Sequence, residues 1–124
     1  MIDRGWAEKF AREWVDAWNE HDLERIFLPY ADDFEMTSPL IVERMNVPDG
    51  RLKGKSAVRL YWSQGLALTP NLRFELQSVI VGVNSLAVLY RSVTARRSVI
   101  ELFEFDEHRK VVRAQALYGT VTQE

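Results

Sequence analysis

The chain has 124 residues, of which 47% are hydrophobic, so one sizeable core can form in a single domain spanning 1–124. The absence of cysteine excludes disulfides, thiolate nucleophiles and cysteine-ligated zinc, and fits a reducing compartment. A net charge of -2 with acids and bases interspersed offers no basic footprint for nucleic acid. No segment approaches the ~20 apolar residues that span a bilayer, and residues 1–6 lack the apolar run of a secretory signal. The expectation is a soluble, cytoplasmic protein with neither nucleic acid nor membrane as partner.

In the first segment Trp6, Phe10, Trp14 and Trp18 recur every four residues beside Ala7, Ala11 and Val15, which predicts a helix with one broad apolar stripe, capped by Asp3. Residues 19–22 break the pattern, and Asp22 can cap a short second helix carrying Leu23, Ile26 and Phe27, ended by Pro29. Residues 34–38 read as a short strand stopped by Pro39. Residues 40–53 read as a long loop able to lie over a cavity mouth. A third helix follows, capped by Gly54 or Ser56, striped by Val58, Tyr61, Trp62 and Leu66, and terminated at Thr69-Pro70.

The remainder is β-rich: residues 72–83, 86–94, 99–105 and 111–121 predict four strands of an antiparallel meander. Apolar phase shifts between Leu72-Phe74-Leu76 and Val79-Val81-Val83, which marks Ser78 as a bulge that would bend the strand. Helices segregated from strands make this an α+β fold, a curved antiparallel sheet wrapped around three N-terminal helices. Such a cone leaves an internal pocket at its open end.

Few motifs carry chemistry. The run Gly50-Arg51-Leu52-Lys53-Gly54-Lys55-Ser56 has three residues rather than four between its glycines, so it does not match a phosphate-binding loop. His21 and His108 fall in separate predicted turns and read as surface residues, and no acidic or His pair has metal-ligand spacing, so neither metal nor cofactor is expected. Without a His partner the hydroxyls lack a general base, which argues against a hydrolase triad. Arg96-Arg97 and Arg109-Lys110 read as solvated turn charges.

One acid stands out. Strand alternation puts Glu101 on the same face as Phe103 and Phe105, and a hairpin turning at Ala95-Arg96 would set Tyr90 opposite it, within reach of a hydrogen bond. The residues alone leave two readings open, a solvent-facing strand Glu or an acid inside a cavity.

The segment Trp14-Val15-Asp16-Ala17-Trp18-Asn19-Glu20-His21-Asp22-Leu23, then Tyr30-Ala31-Asp32-Asp33-Phe34 and Ser38-Pro39, resembles the opening of nuclear transport factor 2-like proteins of the SnoaL-like and ketosteroid isomerase type. Gly54-Lys55, Ile100-Glu101-Leu102-Phe103, Lys110-Val111-Val112 and Ala116-Leu117-Tyr118-Gly119 extend the resemblance over essentially the whole chain. In the isomerases of that family a helix Tyr and a strand Asp form an oxyanion hole, and a second Asp acts as base. Carried over by position, these sites are Trp14, Glu101 and Ser38 in this sequence, so only the oxyanion acid keeps its chemistry.

The resemblance further implies that Glu101 faces the cavity. Glu101, Tyr90 and Tyr118 are thus the candidate catalytic residues, and Trp14, Met36, Ser38, Phe103, Ala114 and Ala116 the candidate substrate wall, with Trp14 equally readable as core. The implied ligand is a small hydrophobic molecule. The implied function is an isomerase-, cyclase- or dehydratase-type acid-base reaction through Glu101, or a non-catalytic ligand-binding or dimeric interaction module. Apolar residues on both sheet faces predict a homodimer through the outer face.

Overall fold

Helix α1 (Arg4–Asn19) starts where the Asp3 side chain accepts a hydrogen bond from Trp6 N, and it buries Phe10, Trp14 and Trp18 along the expected stripe. In the computed structural model, which describes residues 1–122, Asp22 likewise caps α2 (Leu23–Phe27). Residues 123 and 124 of the expected 1–124 domain lie outside the described residues. The chain continues through β1 (Tyr30–Thr37), α3 (Pro39–Met45), β2 (Arg51–Lys53), α4 (Lys55–Leu68), β3 (Phe74–Val81), β4 (Ser85–Ser92), β5 (Arg97–Phe105) and β6 (Val111–Tyr118).

The strands form one six-stranded sheet in the order β2-β1-β6-β5-β4-β3. This is the expected α+β cone with two differences. Residues 40–53 are not a loop: Ser38 Oγ accepts from Leu40 N to cap α3, and β2 then pairs with β1. Pro39 at the first helical turn starts this helix. Gly50, with φ +65, closes the excursion, because a Cβ there would meet Ser38 O at 3.0 Å. The sheet is also not purely antiparallel, since β1 runs parallel to β6.

Register shifts bend the sheet. One falls between Leu76 and Ser78, the site expected from the change of apolar phase, and others interrupt β1·β6 and β5·β6. The concave face carries Val99, Glu101, Phe103 and Phe105 of β5, all buried, while Leu102 and Glu104 lie on the exposed face. Phe10 packs edge-on against Phe103 and Phe105, with ring centroids 5.0 and 5.2 Å apart, which docks α1 into that face. Asn19 then fixes the end of α1 to β3 by exchanging two hydrogen bonds with the Phe74 backbone. His21, expected at the surface, is half-buried and holds Leu72 O at 3.0 Å through Nε2.

Candidate active site

A cavity of about 390 Å³ opens at one end of the cone, within the range of ~300–1,000 Å³ typical of small-molecule sites. Its buried walls come from α1 (Trp14, Trp18), α4 (Tyr61, Trp62), β1 (Met36), β4 (Tyr90, Ser92) and β5 (Val99, Glu101). Its exposed lining residues, Arg44, Leu68, Asn71 and Ala95, place the mouth between α3, the end of α4 and the β4–β5 turn.

Glu101 is 3% exposed and lies at the inner end of this cavity. Burial pushes its carboxyl from 4.5 up to about 8. A buried carboxylate loses hydration that no neighbouring charge restores here, so at pH 7 the neutral acid predominates. Its carboxyl has no hydrogen-bond partner among the described residues.

Every tyrosine of the chain, Tyr30, Tyr61, Tyr90 and Tyr118, feels this carboxyl. Burial is the main cause that raises each phenol above its ordinary value, and the Glu101 charge adds to it in all four. The phenols therefore stay protonated and act as hydrogen-bond donors. The Trp14 indole donates to Tyr30 Oη at 3.0 Å, and Tyr61 donates to Ser38 Oγ at 3.2 Å.

The expected opposition of Tyr90 and Glu101 is corrected by the register. Tyr90 pairs with Val99, and Glu101 with Val88, because the turn occupies 93–96 rather than pivoting on Ala95-Arg96. The slip is two residues, so Tyr90 stays on the face of Glu101 as a diagonal neighbour. The expected hydrogen bond from Glu101 to Tyr90 or Tyr118 is absent among the described residues.

Trp14, Met36, Tyr90, Glu101 and Tyr118 line the cavity. Phe103, Ala114, Ala116 and Ser38 are buried behind that lining. Ala116 stands directly across from Glu101, and Ala114 across from Phe103, so their small side chains leave room beside larger neighbours. Ser38 is the cap of α3 rather than a strand residue facing a ligand.

Several residues escaped the sequence reading. Trp18 and Trp62, expected only as members of the apolar helix stripes, line the cavity, as does Tyr61 of the α4 stripe. Tyr30 was missed because β1 begins at Tyr30, four residues before the expected strand. Arg97 is not a turn charge: it opens β5 and lies in the cavity wall, its guanidinium 4.3 Å from the centre of the Tyr118 ring. Arg44, inside the supposed loop, reaches the mouth from α3. Among the described residues no group of three or more His, Asp and Glu side chains gathers as a metal site would require. Among the described residues no helix is long and apolar enough to cross a membrane.

Comparison with known proteins supplies the lineage. No curated protein sequence matches the chain. A SnoaL-like protein of unknown function from Burkholderia thailandensis is 45% identical, with a TM-score of 0.92 over 96% of this chain and 98% of that one. A candidate ketosteroid isomerase from Kribbella flavida shares the fold at 14% identity and a TM-score of 0.69, over 95% of this chain and 81% of that one. TerC, crystallised with polyporic acid, does so at 12% identity and a TM-score of 0.74, over 91% of each chain. The model of the SnoaL-like domain matches residues 11–114, and with the cone fold around its aromatic cavity the chain belongs to the SnoaL-like family.

Proposed function

We propose that the cavity binds a small, mostly apolar carbonyl compound and that Glu101 moves a proton on it, in an isomerase-, cyclase- or dehydratase-type reaction. The observation that supports this reading is a lone carboxyl, buried with four phenols around it, that faces a cavity and titrates near 8. A group with a pKa close to the working pH serves as both base and acid. As carboxylate it takes the proton from the carbon next to the carbonyl, forming its own O–H bond as the C–H bond breaks. As acid it returns that proton to another carbon. Tyr90 and Tyr118 donate hydrogen bonds to the carbonyl oxygen as it gains charge, where dry surroundings strengthen each bond. This chemistry needs side chains alone.

Deuterium exchange tests it. The acetyl group of 6-acetyl-2-naphthoate offers exchangeable protons beside a carbonyl on a flat aromatic body. In D2O the protein should accelerate methyl deuteration over buffer, and Glu101→Gln should reduce the acceleration ~100-fold or more, the ordinary worth of a general base. Exchange at the buffer rate with the compound bound would favour the second reading, a non-catalytic ligand-binding or interaction module. Ser38 supports that second reading, since the position that holds the base in the isomerases is occupied by a hydroxyl committed to Leu40 N and Tyr61.

The proposal extends to assembly. Leu102 and Leu117 remain 39% and 42% exposed on the outer sheet face, with Ile80 at 57% nearby, and a homodimer through this face would cover them.

A further inference from the structure

The polar groups of the cavity are unequally divided between donors and acceptors. Besides the Glu101 carboxyl, which opens on the cavity, two fully enclosed side-chain atoms have no hydrogen-bond partner among the described residues, Trp18 Nε1 and Arg97 Nε. Both are N–H donors, and both belong to residues that line this one cavity. These two nitrogens are closed off from the cavity space, so the donors that a bound molecule can meet are the terminal nitrogens of the arginines that line it.

The charges agree. The charged lining residues are Arg44, Arg97 and Glu101. Neither arginine forms an ion pair among the described residues, although acids are plentiful elsewhere on the surface. Arg44 lies close enough to Tyr61, and Arg97 to Tyr118, for their charges to oppose the rise of those phenols. The two guanidiniums thus reach the mouth from α3 and from β5, each beside a tyrosine. Trp14, Trp18, Trp62 and Phe74 give the same cavity an aromatic lining.

Arg97 and Glu101 share the inner face of β5. Four residues at ~3.3 Å each set their backbone positions about 13 Å apart. The cavity is thus polarised along its length, with cationic N–H donors toward the mouth, aromatic rings in the middle and a carboxylic acid at the inner end.

We propose that the natural ligand is an organic acid: its carboxylate is held at the mouth by Arg97 and Arg44, its flat apolar body lies against the tryptophans, and an acceptor oxygen at its far end meets Glu101. This rests on the proposed function for the inner end only; the anion site stands on the two arginines that line the mouth without an ion-pair partner among the described residues. A guanidinium presents a planar fork that fits a carboxylate with two parallel hydrogen bonds, and a partly enclosed site strengthens the pair.

The test compares 6-acetyl-2-naphthoate with its methyl ester, read by quenching of the cavity tryptophans at pH 7 and low salt. The acid should bind at least tenfold more tightly than the ester. Arg97→Gln should remove most of that preference, weakening the acid far more than the ester, and Arg44→Gln should reduce it further. Arg97→Lys, which keeps the charge without the fork, should retain part of it, and thermal melting of each variant verifies folding. Equal binding of acid and ester, or a preference that survives loss of both arginines, would overturn the anion site alone. Binding of neither compound below millimolar concentration would overturn both this inference and the proposed function. A preserved acid preference in Glu101→Gln with lost deuterium exchange would support the two ends as separate sites.

Discussion

Replacing Glu101 by Gln keeps the shape of the side chain and removes its ability to ionise, so the consequence for stability follows from the protonation equilibrium. In the folded protein the carboxyl titrates at about 8, against a reference value of 4.5. Between those values the folded state holds a proton that the unfolded chain releases, so this carboxyl's contribution to the parent's stability is greatest below pH 4.5 and is lost as pH rises through 8. At ~1.4 kcal/mol per pH unit the loss reaches on the order of 3 kcal/mol at pH 7 and approaches 5 at pH 9. The Gln variant is neutral throughout and does not share this slope. Urea unfolding followed by tryptophan fluorescence should therefore find Glu101→Gln within about 1 kcal/mol of the parent at pH 5, and more stable by several kcal/mol at pH 9. Other titrating groups are common to both proteins and cancel in the difference. A gap that is the same at pH 5 and pH 9 would refute the reasoning, because it would mean that the carboxyl ionises as readily in the folded cavity as in the unfolded chain.

Ser38→Ala removes the cap of α3 and the acceptor of Tyr61, and should cost about 1–2 kcal/mol in chemical unfolding while leaving deuterium exchange within a few fold of the parent. A large loss of exchange in a folded Ser38→Ala protein would return Ser38 to the reaction. Turnover of a β,γ-unsaturated ketosteroid should be negligible, since the positions that the family resemblance would assign to the base and the oxyanion Tyr hold this capping Ser and Trp14. Rates within tenfold of an authentic ketosteroid isomerase would contradict that assignment. Sedimentation at micromolar concentration should give a dimer for the parent and a monomer for Leu102→Glu, which puts a charge in the middle of the exposed apolar sheet face. A monomeric parent removes the proposed interface.

The legibility of this chain in its sequence divides along physical lines. Period-four tryptophans, two Asp caps and the phase change at Ser78 are local signals, and the structure has α1, α2 and the β3 bend where they point. Glu101 was readable as sharing a face with Phe103 and Phe105 because strand alternation survives a two-residue error of register, and the family resemblance, not the residues alone, turned that face inward; its pairing with Tyr90 did not survive. The α3–β2 excursion was lost because it depends on non-local bonds, Ser38 N to Gly50 O at 2.9 Å and the pairing of Met36 with Leu52, while Pro39 suggested an ending rather than a helix start. The arginines of the mouth were hidden for a similar reason. A basic pair next to a turn usually faces water, and Arg97 joins the inner face because β5 begins at Arg97, two residues before the expected strand. Tyr30, Tyr61, Tyr90 and Tyr118 come from four separate elements, so no spacing in the chain announces that all four phenols feel one carboxyl.

The central claim is that Glu101 is a neutral acid at physiological pH inside a ligand cavity. Carbon-13 NMR of protein labelled at the glutamate side-chain carboxyls measures this directly, with Glu101→Gln identifying the resonance. A midpoint near 8, well separated from the surface glutamates, is the predicted result. A Glu101 midpoint below 5 would contradict the account, since it would describe an ordinary ionised carboxylate with no proton to give at neutral pH.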